Sequence, residues 1–192
     1  MPRASPYTGP VKKLPRMLLL LGLGLLAACT TPPVTIGLSN VTLDLTVAMD
    51  SAGKVLFPES PVAFENPLPG VSVASVTIRG QARLAQSAQL SFDVYAADAS
   101  PADLGCTKVG TIATGYFYAC DPGTPGVDKV SQETLAFHNT AGPVPLTLSG
   151  EVLARGINRR SLYLGAVVSG GTAGNKLYLE RLSATIQLNV GK

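Results

Sequence analysis

Residues 182–190 read LSATIQLNV, an unbroken alternation of apolar and polar side chains. Leu182, Ala184, Ile186, Leu188 and Val190 fall at every second position, with Ser183, Thr185, Gln187 and Asn189 between them. A strand sends successive side chains to opposite faces, whereas a helix needs apolar residues every three or four positions. The stretch therefore predicts a β-strand with one dry and one wet face. Residues 41–47 (VTLDLTV) and 90–94 (LSFDV) repeat the pattern. Further strands are expected over 71–78, 108–113, 115–119, 133–138, 144–154 and 160–168. In the last of these Leu162, Leu164, Ala166 and Val168 share a face, and Tyr163 lies on the other.

Turn chemistry separates these runs. Asp50-Ser51-Ala52-Gly53 reads as a turn, Gly156-Ile157-Asn158 as another, and Gly170 to Asn175 as a hairpin loop joining the last two strands. No amphipathic helix of useful length is expected. Residues 80–89, with Ala82, Leu84, Ala85 and Ala88, fit a helical turn less well than the approach to the Phe92 strand. Eight or nine strands with short connections predict an all-β fold, an antiparallel β-sandwich, with a small closed β-barrel as the alternative. A transmembrane barrel is disfavoured, because the wet faces carry Asp, Thr, Ser and Gln and there are no aromatic girdles.

The N-terminal region is different in kind. Residues 18–28 are an apolar run preceded by Arg3, Lys12, Lys13 and Arg16, with no acid before Asp44. As a helix the run spans only about 16 Å, roughly half a hydrocarbon core, which suits the h-region of an export signal and not a membrane span. Its end, Leu26-Ala27-Ala28-Cys29, resembles the lipobox of bacterial lipoproteins. That resemblance implies cleavage before Cys29, lipid on its thiol, and a protein held in the cell envelope. Thr30 stands where an Asp would favour inner-membrane retention, which leans toward the outer membrane in a cell that has two. The layout expected is a signal over 1–28, a lipidated N-terminus and tether over 29–37, and one β domain over 38–192. The tether contains Thr30-Thr31-Pro32-Pro33, and consecutive prolines favour an extended spacer.

Removing the signal changes the charge. The whole chain has 15 basic and 12 acidic residues, but four of the basic ones lie before Cys29 and all the acids after it. The mature chain is left with a net charge of −1. Nucleic-acid binding calls for concentrated positive charge, so no nucleic-acid partner is expected.

With Cys29 lipidated, Cys106 and Cys120 remain as a pair, and an oxidising envelope compartment favours a disulfide between them. They are too far apart in sequence for a C-x-x-C site, and His138 is the only histidine. Asp98 and Asp103 precede Cys106, while Asp121 and Asp128 follow Cys120. If the bridge gathers these loops, their carboxylates are weak candidates for calcium, against the commoner outcome of solvated loop acids. Tyr116 and Tyr118 share one face of a strand between the acidic loops, the best candidate contact surface, although cross-strand packing accounts for them equally well. Arg155, Arg159 and Arg160 read as a charged loop.

No catalytic set stands out. A G-x-S-x-G elbow is absent, and the glycine-rich stretch before Lys176 lacks the Gly-Lys-Ser/Thr of a P-loop. The expectation is a non-enzymatic protein without cofactor, attached to the membrane through Cys29 and either structural or bound to another envelope protein. A small-ligand or calcium-binding module is the alternative.

Overall fold

The computed structural model describes residues 32–49, 52–64, 72–111, 113, 115–169 and 175–189. The expected signal and Cys29 lie outside the described residues, as do Asp50, Ser51 and residues 170–174 of the expected turn and loop. In chain order the elements are β1 (Val34–Gly37), β2 (Val41–Asp44), α1 (Leu45–Met49), β3 (Val55–Pro58), β4 (Val73–Leu84), β5 (Ala88–Ala97) and β6 (Thr107–Thr111). Then come β7 (Gly115–Cys120), β8 (Val127–Lys129), β9 (Leu135–Thr140), β10 (Val144–Ser149), α2 (Glu151–Arg159), β11 (Tyr163–Ser169) and β12 (Lys176–Leu188).

The alternating stretch forms most of β12. Leu182, Ala184 and Ile186 are buried, while Gln187 is exposed. β12 lies between β4 and the pair β1 and β2, in a five-stranded sheet of order β1-β12-β4-β10 with β2 also against β12. The other sheet has seven strands, in the order β6-β7-β3-β11-β5-β8, with β9 also on β5. The pairings within both sheets are antiparallel. Neither sheet closes on itself, so the molecule is a β-sandwich and the barrel alternative is set aside.

The core between the sheets contains Leu43, Ile78, Leu84, Phe92, Val94, Leu148, Leu164 and Ile186. Phe92 and Phe137 stack there with ring centroids 5.8 Å apart. A second cluster lies on the opposite face of the seven-stranded sheet, where Val55, Phe57, Ala97, Cys120, Val127 and Tyr163 are buried. β3 and β11 are thus covered on both faces. At the central position Gly165, a Cβ would stand 2.4 Å from the Leu56 carbonyl oxygen and 2.7 Å from the Phe57 ring, so only glycine fits.

Several expectations are corrected. Twelve strands are present among the described residues, not eight or nine, because β1, β3 and β8 add to the nine expected. The segment expected as a tether over 29–37 includes β1, whose residues Val34–Gly37 pair with Ile186 to Ser183. Residues 41–47 are a strand only as far as Asp44, whose Oδ1 accepts the Thr46 N–H at 3.0 Å and so starts α1. Residues 144–154 turn helical after Gly150, which adopts φ 152. The expected turn at 156–158 is the last part of α2, closed by Arg160 in the left-handed conformation. β11 and β12 belong to different sheets, so the segment between them is a crossover and not a hairpin.

α2 also crosses, from β10 in one sheet to β11 in the other. Val152 and Leu153 seal that end of the core. Asn158 grips the first residue of β4, accepting from the Val73 N–H at 2.8 Å and donating to its carbonyl at 3.2 Å.

Candidate functional site

Cys106 and Cys120 form a disulfide, with their Cα atoms 4.7 Å apart. The pairing of Thr107 with Ala119 in the β6–β7 hairpin puts the two cysteines opposite one another. They cover the second cluster together with Leu104 and Tyr118. Leu104 reaches it from a helical turn in which the Leu104 N–H donates to the Ser100 carbonyl and the Cys106 N–H to that of Pro101.

The four aspartates do not gather around one point. Asp98, at the end of β5 and buried, accepts from Arg155 Nε at 2.7 Å and pairs with Arg159 at 3.2 Å. Arg155 Nη2 also donates to Asp128 at 3.1 Å. Two of the expected acids therefore meet, on a guanidinium that already supplies the positive charge a cation would bring. The hydrogen bond to Asp98 raises the Arg155 pKa against the opposing effect of burial, so this cation stays charged. Asp121 pairs instead with Lys54. Asp103 sits exposed on the turn, where its N–H donates to the Ser100 carbonyl. Among the described residues no three His, Cys, Asp or Glu side chains are placed to hold a metal ion.

Tyr116 and Tyr118 do share a face, and they differ in what they do there. Tyr118 is half buried against the second cluster. Tyr116 remains exposed, and its ring carries the Lys108 ammonium 4.4 Å from its centroid. Glu59 binds the same ammonium at 2.8 Å and holds the Lys108 pKa above its ordinary value. Tyr116 is thus the more accessible half of the proposed contact surface. Beside the disulfide lies a pocket of about 230 Å³, and its two charged side chains, Lys54 and Asp121, neutralise each other. His138 is exposed on β9.

Sequence reasoning passed over the outer face of the five-stranded sheet. Arg83 embraces Glu180 through Nη2 at 2.9 Å and Nε at 3.4 Å, and its guanidinium stacks 4.5 Å from the Tyr178 ring centroid. The Arg83 hydrogen bond holds the Glu180 pKa below its ordinary value against burial, and Arg181 adds to the lowering. Arg79, Lys176 and Arg181 are exposed and make no ion pair among the described residues. One register row across this face carries Thr35, Thr185, Thr77 and Ser149. The signal was present in the sequence as the polar half of the β4 and β12 alternations. It went unused because the polar half of a strand reads simply as wet.

The chain matches no family model, no curated protein and no solved structure.

Proposed function

We propose that this chain is a lipid-anchored protein of the bacterial envelope, with lipid on Cys29 and a non-catalytic β-sandwich that serves a structural or protein-interaction role. The observation that carries this reading is Leu26-Ala27-Ala28-Cys29 at the end of a short apolar run with four basic residues upstream. The Cys106–Cys120 bridge fits an oxidising compartment. Five residues lead from Cys29 to the first residue of β1, and a fully extended chain of that length reaches at most about 18 Å. The sandwich then stands close to the membrane surface, with Tyr116 offered for contact with an envelope partner. Thr30 favours the outer membrane where two membranes are present.

Metabolic labelling with a tagged fatty acid, followed by membrane fractionation, tests the anchor. The wild type takes up label and sediments with membranes. The Cys29→Ser variant takes up none and is not processed by the lipoprotein route. Label retained by the variant, or absent from the wild type, overturns the reading.

A further inference from the structure

Charge is divided unevenly between the two sheets. Around the seven-stranded sheet and α2, Lys54, Lys108, Lys129, Arg155 and Arg159 each hold at least one carboxylate, and among the described cations there only Arg160 makes no ion pair. The outer face of the five-stranded sheet carries Arg79, Arg83, Lys176 and Arg181 against Glu180 and the nearly buried Asp44. The Asp44 carboxylate is turned to the start of α1, where it accepts from Thr46. Arg79, Lys176 and Arg181 make no ion pair among the described residues, although Lys176 stands opposite Asp44 in the register and Arg181 acts on Glu180. This face therefore holds four cations against two acids, on a mature chain whose net charge is −1. The face around them bears the hydroxyls of Thr35, Thr77, Thr185 and Ser149, with the Tyr178 ring under Arg83.

The tether enters this same sheet. β1 lies at its edge, with Val34 opposite Ile186, and Arg79 sits two strands across and three residues along. Strand spacing and rise put those two Cα positions about 14 Å apart. β1, the first described strand after Cys29, thus belongs to the sheet that carries these cations.

We propose that the outer face of the five-stranded sheet, through Arg79, Lys176 and Arg181, docks on the anionic phospholipid headgroups of the membrane that holds the anchor. Such a surface attracts each nearby cation strongly enough to change a docking equilibrium roughly fivefold. The three together shift it by on the order of 100-fold. The sandwich then lies with this sheet on the bilayer and the outer face of the other sheet, with Tyr116, turned away from it. The proposal rests on the lipid anchoring of Cys29 described above.

The test uses the mature lipidated protein in vesicles of phosphatidylcholine alone or with phosphatidylglycerol added. With Cys29 acylated and Cys106 bridged to Cys120, a cysteine introduced as Thr185→Cys or Asp103→Cys is the one free thiol available to a spin label. Accessibility to a water-soluble relaxation agent is then read. At position 185 it falls several-fold when phosphatidylglycerol is present, and recovers in about 0.5 M NaCl, where the screening length shrinks to roughly 4 Å. Position 103 stays open in both vesicles. The triple variant Arg79→Gln, Lys176→Gln, Arg181→Gln keeps position 185 open. Equal accessibility at 185 in both vesicles overturns the proposal, as does protection at 103 instead. Equal protection by soluble polyglutamate would assign the face to an anionic polymer and also overturn it. Mass measurement of the purified protein keeps the two readings apart. Lipid on Cys29 with position 185 open removes the docking alone, whereas a lipid-free Cys29 removes the anchor.

Discussion

Replacing Arg155 with Met keeps the aliphatic stem and removes the guanidinium that joins α2 to the end of β5. Asp98 is 5% exposed, so its carboxylate has little water to fall back on. It loses the 2.7 Å bond from Arg155 and keeps only the 3.2 Å pairing with Arg159, a side chain 60% exposed. A hydrogen bond to a charged group contributes about 1.5–3 kcal/mol, and stripping a buried charge of every partner costs about 3–5 kcal/mol. The contacts of Arg155 to Asp128 and Glu151 add little, because those carboxylates are 52% and 97% exposed. The expected loss for Arg155→Met is therefore about 2 kcal/mol, and for Arg159→Met about 1 kcal/mol. The double variant loses more than the sum, about 4 kcal/mol, since only then is Asp98 buried with no cation. Urea unfolding with the disulfide intact measures all three, as midpoint shifts at constant slope. A cost for Arg155→Met under about 0.5 kcal/mol, or strict additivity in the cycle, would refute the reasoning.

Reduction of the Cys106–Cys120 bridge, whose partners are 14 apart in sequence, should cost about 3 kcal/mol in the chain-entropy account. Urea midpoints with and without dithiothreitol check this, and coincident curves count against it. Glu180 gives a pH dependence of definite sign. Its pKa is lowered in the folded protein, chiefly by the Arg83 hydrogen bond. Its contribution to stability is therefore full above the ordinary glutamate value near ~4.3 and is lost as pH falls through the lowered one. The wild type should exceed Glu180→Gln in stability at neutral pH, and the two melting curves should converge in acid. A gap between them that does not change with pH argues against the assignment.

The two-layer architecture was legible in the alternation because that pattern reports a strand with one face in the core. β3 escaped for the same reason in reverse. Val55, Leu56 and Phe57 are all buried, so Val55-Leu56-Phe57-Pro58 shows no alternation at all. Burial on its second face depends on residues 98–106 and 121–127 folding over the sheet, a tertiary fact no local window contains. α2 was hidden by adjacency, since the strand pattern of β10 runs up to Gly150 and only the backbone turn there ends it. At the candidate site the cysteine pairing was legible, but the fate of Asp98 was not. Its partners Arg155 and Arg159 lie more than fifty positions away and read as a loop cluster until the helix places both over one carboxylate.

The difference between the two outer faces has a physical origin in what each sheet exposes. Val55, Phe57, Val127 and Tyr163 make one face apolar, and the chain covers it with its own loops, tied down by the disulfide. Burying such side chains stabilises the fold by roughly 1.5–3 kcal/mol each, which offsets the entropy of ordering those loops. The other face offers Thr35, Thr77, Thr185 and Ser149, which gain nothing from being covered. Solubility alone would intersperse acids among its arginines, as the first sheet does with its lysines. Instead Arg181 occupies a bulge with φ 53, a conformation that costs of order 1 kcal/mol or more in a non-glycine residue, and Asn40 receives its N–H to hold it there. Strain of that kind persists only where the surroundings enforce it. Here it sets a cation on the outer face at the point where β12 passes from β1 to β2.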